Sequence, residues 1–167
     1  MLVIYSLIFS TGLYLAIIAT FLTTYAFYRH LYKPARHFQI KDNYGDIYFC
    51  FSYAILLYLI DFKIATVAIL FMAFGDGVTG VIRNFSVKKR GKDLWGSLGM
   101  LLISIFIGYT YLGWIGVVGA FVATFLEAPE YFVTLGKRTR PLVDDNILVP
   151  FGSAVAMVLL SGGGICQ

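Results

Sequence analysis

Asp76 stands between Gly75 and Gly77 near the end of a long apolar run. A cluster of cations follows it: Arg83, Lys88, Lys89, Arg90 and Lys92. Gly96, Ser97 and Gly99 then open the next apolar run. Each of these types has its own chemistry. A carboxylate can hold a divalent metal, of which magnesium suits an isolated acid best. Cations can hold phosphate, and so can the free N–H groups at the start of a helix rich in Gly and Ser. Lys92 lies just ahead of Gly96-Ser97, and a nucleoside triphosphate would suit such a place. The stretch GKDLWGS is not a Walker A loop, because the glycine spacing and the closing Lys-Ser/Thr are missing.

Further along, Glu127 lies deep in an apolar run and Glu130 lies one turn beyond it, with Pro129 between them. Asp144-Asp145-Asn146 precedes Ile147-Leu148-Val149-Pro150. Every one of these residues also has a plainer reading. Asp76 would pair with a cation such as Arg83, Glu130 would be interfacial, and Asp144-Asp145-Asn146 would cap a helix. The basic cluster would be a topology signal that also attracts anionic head groups. His30 and His37 are seven apart on a polar stretch, a weak spacing for zinc. No Ser, His and acid are grouped as a nucleophilic triad, and Cys50 and Cys166 form no metal-ligand spacing.

The elements that must position these residues are apolar. The 167 residues are 59% hydrophobic and only 13% charged, with a mean hydropathy of +0.81. A soluble domain has about 25% charged residues. A spanning helix takes about 20 mostly apolar residues, which leaves room for about six spans and little else. The expectation is therefore an all-α, polytopic bundle of about six transmembrane helices, forming a single integral membrane domain over 1–167. The spans are expected at 2–25, 45–60, 64–82, 94–109, 114–132 and 146–160. The first reads as a retained span rather than a signal peptide, since it has no basic n-region and no small-residue cleavage site. Asp61-Phe62-Lys63 and 108–113 read as short turns. Pro150 would cost a helix a hydrogen bond that lipid cannot replace, so the last span is expected to be broken there or to start after it.

Charge sets the orientation. The loops after spans one, three and five carry twelve of the thirteen Lys and Arg residues, and Lys63 alone falls on the other side. The positive-inside rule then puts those loops in the cytoplasm and both termini outside. Eight of the nine acids fall on or near the same side. Polar chemistry gathered at one membrane face is more than a scaffold needs. No nucleic-acid partner is expected.

In order, FGDGVTGVIRN, KKRGKDLWGSLGM, Glu127 and VDDNILVP resemble the CTP-dependent polyprenol kinase family, which includes dolichol kinase, phytol kinase and the CTP-dependent diacylglycerol kinase. YGDIYFCFSYAILL, residues 44–57, resembles the stretch that precedes the first motif there. The likeness covers about residues 36–155, and the short chain resembles archaeal members. It departs at Asp93, where the family usually has Ser after the motif lysine.

The resemblance implies a kinase that moves the γ-phosphate of CTP to the hydroxyl of a polyprenol or related lipid alcohol at the cytoplasmic face. Asp76 and Asp145 would hold magnesium. Gly75, Gly77, Gly96 and Ser97 would approach the nucleotide, and Asn146 would orient metal or phosphate. Lys92, with Arg83 or Arg90, would neutralise the transferring group, and Glu127 would take the hydroxyl proton. Two other classes stand beside this one. A CTP:lipid-phosphate cytidylyltransferase needs similar acids and cations. The other is a small transporter or structural membrane protein; a transporter would place its site nearer the midplane, usually within internal repeats.

Overall fold

A computed structural model describes residues 2–32, 44–85, 94–127 and 144–162, with side chains described within 11–32, 44–82, 95–127 and 144–162. The described residues form six α-helices: α1 (Leu2–Tyr32), α2 (Gly45–Leu59), α3 (Phe62–Phe85), α4 (Leu94–Leu112), α5 (Trp114–Glu127) and α6 (Asp145–Leu160). The all-α expectation holds. The helix starts at Gly45, Leu94 and Trp114 fall where the apolar runs begin, and the ends differ more. α1 runs on to Tyr32 and takes up Arg29 and His30, which the sequence assigns to a polar loop.

Three helices contain segments long and apolar enough to cross a membrane: Thr11–Tyr32, Phe62–Ile82 and Trp95–Leu112. The other three are equally apolar but have 15, 14 and 16 residues. At about 1.5 Å per residue they fall short of a hydrocarbon core about 30 Å thick.

α3 is the centre of the bundle and touches each of the other five helices. Ala65, Val67, Ala68 and Phe71 on it are wholly buried. Inside and outside are both apolar, and what separates them is size. Ala16, Ala54, Ala120, Ala123 and Ala154 point inward, as do Ser52, Ser104 and Ser153. Phe21, Leu102, Phe106, Phe125, Trp114 and Leu159 point outward, each at least two-thirds exposed. An exterior of this kind far exceeds the apolar patches of a soluble monomer and is compatible with a membrane protein. Small residues inside let helices approach closely, which is how helices associate where burial from water does not drive them.

The hydroxyls fit the same setting. Thr20, Thr23, Thr110, Thr124 and Ser153 each donate to the carbonyl four residues earlier in their own helix. Such a bond satisfies the side chain without water.

The tightest contact joins α4 to α5. Gly113 alone links them, with φ of 59°, a left-handed conformation open to glycine at little cost. Its amide donates to Tyr109 O at 3.0 Å, and its carbonyl accepts from Val117 N at 3.2 Å. The turn expected over 108–113 is thus one residue long, because α4 continues to Leu112. Gly108 and Gly116 then face each other so closely that a methyl group on either would overlap the other's backbone. Phe71 of α3 packs across Gly108 and Gly119.

Asp61 ends the α2–α3 turn. Its Oδ1 accepts from Lys63 N at 2.9 Å and so caps the start of α3.

Enlarging the α4–α5 contact should therefore be costly. Gly116→Leu should lower stability by about 2 kcal/mol or more, at the upper end of overpacking changes. Gly80→Ala, where a methyl group meets nothing within 4 Å, should be neutral or stabilising by up to about 1 kcal/mol. Thermal unfolding of the two variants in detergent checks the pair.

Candidate functional site

The helix ends bring polar residues together at one end of the bundle. α1 ends there and α2 begins there, joined by Arg29 Nη2 and Asp46 Oδ2 at 3.2 Å. His30 packs against Tyr44, with ring centroids 4.2 Å apart. α6 begins beside α2, and α5 ends where Leu126 meets Gly152 of α6. The last turns of α3 meet the first of α4 where Thr79 lies against Gly96.

A cleft of about 410 Å³ opens at this end, lined by Gly45, Asp46, Phe49 and Cys50 of α2, Met72, Ala73 and Asp76 of α3, and Asn146 of α6. Asp76 is exposed and borders it. Three oxygen-bearing side chains from three helices thus share one apolar-backed recess. Two carboxylates and an amide are hard donors of the sort magnesium takes, with waters or phosphate oxygens completing its shell. Among the described residues no group of three or more His, Cys, Asp and Glu side chains that could hold a metal is found.

The start of α6 shows how two adjacent acids divide their work. Asp144 is the N-cap: its Oδ1 accepts from Asn146 N at 2.9 Å and from Asn146 Nδ2 at 2.8 Å. Asp145 is the first helical residue, and its Oδ1 accepts from Asn146 N at 3.1 Å. The capping reading thus belongs to Asp144. With its amide nitrogen turned to Asp144, Asn146 keeps the amide oxygen as the atom able to face a cation.

Pro150 corrects the sequence reading. α6 is neither broken nor late; it runs through Pro150 from Asp145 to Leu160. The proline removes one donor, that for the Asn146 carbonyl four residues earlier. Ser52 of α2, wholly buried, donates to that carbonyl instead at 2.8 Å.

The other expected site residues are distributed as follows. Gly75 faces Met100 of α4, whose side chain would crowd any methyl group added there, so the close approach is by a helix. Gly77 has open space beside it. Gly96 and Ser97 lie in the first turn of α4, with Gly96 held against Thr79. Glu127 is the last residue of α5 and is 3% exposed. Neither it nor Asp145 lines the cleft among the described residues. Arg83 lies in the last turn of α3, with its side chain outside the described residues. Arg90, Lys92, Asp93, Pro129, Glu130 and His37 also fall outside the described residues.

Asp46, Cys50 and Ser52 were not legible as site residues. The Gly45-Asp46 pair repeats the Gly-Asp of Gly75-Asp76 at a helix end, and that was the available signal. No family model, no curated protein and no solved structure matches the chain.

The two polar ties at this end should differ in worth. Asp144→Ala should cost about 1 kcal/mol, as the loss of an N-cap does. Arg29→Ala should cost well under about 1 kcal/mol, because its partner Asp46 is exposed and such pairs are screened. Melting of the two variants side by side checks the order.

Proposed function

We propose that the chain is a six-span membrane lipid kinase, with both termini outside and the cleft end of the bundle at the cytoplasmic face. It transfers the γ-phosphate of CTP to the hydroxyl of a polyprenol or related lipid alcohol. The observation that carries this reading is the meeting of Asp76, Asp46 and Asn146 in one cleft at the end of an otherwise apolar bundle. The order of motifs along the chain supports it, as does the one-sided placement of the cations.

Phosphoryl transfer asks a protein mainly for positioning and for neutralisation of charge. Asp76 and the Asn146 amide oxygen would hold magnesium, with Asp46 and Asp145 as the further acids at the same end. The ion supplies charge neutralisation across the phosphate oxygens. Lys92, with Arg83 or Arg90, draws the triphosphate towards the free amides that open α4 at Gly96 and Ser97. The lipid tail stays against the apolar outer faces, and its hydroxyl rises to the cleft. That hydroxyl attacks the γ-phosphorus and CDP leaves; Glu127, buried at the end of α5 and outside the cleft lining, would have to turn towards the cleft to take the proton.

The test is an assay of the detergent-purified protein with γ-labelled CTP, magnesium and a panel of prenyl alcohols and diradylglycerols. Label should enter the lipid fraction. Asp76→Ala should lower kcat by about 100-fold or more, in line with loss of a main electrostatic group, while the protein keeps its melting temperature. Label released as pyrophosphate, with lipid phosphates as acceptors, would overturn the kinase and support a cytidylyltransferase. Label that never leaves CTP would overturn both enzymes in favour of a binding or transport protein.

A further inference from the structure

A serine hydroxyl has one proton to give. Ser153 spends its own on α6 itself, as the threonines of α1, α4 and α5 do on theirs. Ser52 does otherwise, as does Thr79 of α3, which reaches the Gly96 carbonyl of α4 at 3.4 Å. Ser52 lies on α2 with no exposed surface, and it donates across to the Asn146 carbonyl of α6 at 2.8 Å. That carbonyl is special within α6, since the residue four places on is Pro150. A helix would answer it with the amide of residue 150. Proline has no amide proton, and its ring crowds that same carbonyl. Pro150 is itself buried and Asn146 half-buried, so an unanswered carbonyl there is costly.

Asn146 is consequently held at three points. Its backbone N–H and its side-chain amide both reach Asp144 Oδ1, and its carbonyl meets Ser52. The first two hold it within α6. The third alone ties it to α2, the helix that brings Asp46, Phe49 and Cys50 to the cleft. We propose that Ser52 is a positioning residue for the cleft. Through the carbonyl that Pro150 leaves open, it sets Asn146 in register with the acid-bearing start of α2. Proline makes the bond between helices necessary, and the serine makes the proline tolerable. The catalytic meaning of this arrangement rests on the kinase reading; the arrangement itself does not.

A double-mutant cycle tests it. Ser52→Ala, Pro150→Ala and the double variant are made in a Cys166→Ser background, so that Cys50 is the sole thiol in a chain with two cysteines. Two readouts are taken well below the melting temperature: kcat and KM for CTP with magnesium, and the rate at which a small maleimide labels Cys50 in the cleft. Ser52→Ala should raise KM roughly fivefold or more, the low end of what an unanswered buried group costs, and should change the labelling rate by a similar factor. The double variant should return to within about twofold of Pro150→Ala alone, because the alanine amide now answers the carbonyl. Wild-type KM and labelling in Ser52→Ala would overturn the proposal. So would a double variant as impaired as Ser52→Ala. Should Ser52→Ala fail to fold, recovery of folding in the double variant supports the link through the carbonyl, and failure of both overturns it. If the wild-type protein transfers no phosphate, the kinase reading falls, and the labelling cycle alone decides the role of Ser52.

Discussion

The hydrogen bond from Ser52 to the Asn146 carbonyl answers a constraint that governs the whole bundle. A chain with an apolar exterior has to satisfy its backbone groups from within. The helices do so by their own repeat, and several of their hydroxyls fold back on the same repeat. Pro150 breaks that rule at one carbonyl, and the repair comes from another helix. Self-sufficiency lets helices slide and turn against one another. A carbonyl that only a neighbour can answer fixes the pair, and this one lies where the polar residues gather.

Packing explains why the polar residues gather at an end. α3 sits in the middle because its alanines and valine admit neighbours on every side. α2, α5 and α6 are shorter than α3 by eight residues or more, and all three have a terminus at the cleft end. Where α2 and α6 begin beside the longer α3, a recess is left between them. Glycine supports the same geometry from behind: Gly75 lets Met100 lie against α3, so that α4 closes on the helix that carries Asp76. The acid is exposed while its neighbour is buried, and this difference between adjacent residues turns the carboxylate to the cleft.

Much of this was legible in residue order. Apolar runs bounded by Gly45, Leu94 and Trp114 mark helix starts, because there the composition changes abruptly. Asp76 and Asn146 stand out as polar residues beside long apolar runs, and both border the cleft. Other features depend on contacts between distant residues, which local pattern does not carry. Pro150 read as a break because the hydroxyl that answers the opened Asn146 carbonyl lies 94 positions from that residue. Ser52 looked like any small residue in an apolar run. Asp46 read as a helix-start acid, and only the approach of α3 and α6 makes it part of a recess. Asp144 and Asp145 are chemically alike, and which one caps the helix depends on backbone angles at the first turn.

The single residue between α4 and α5 has a consequence for folding. A helix that is followed at once by another has no loop at its far end in which the two could separate. Here that end is Gly113, and the next helix begins at once. The two arms carry no Lys, Arg, Asp or Glu between Leu94 and Leu126, so neither holds a charge to anchor one arm while the other is made. Gly108 and Gly116 meet close to the bend. The pair is therefore built as a closed hairpin with an uncharged tip. In that view the glycines of this contact serve the folding of the pair as much as the finished bundle.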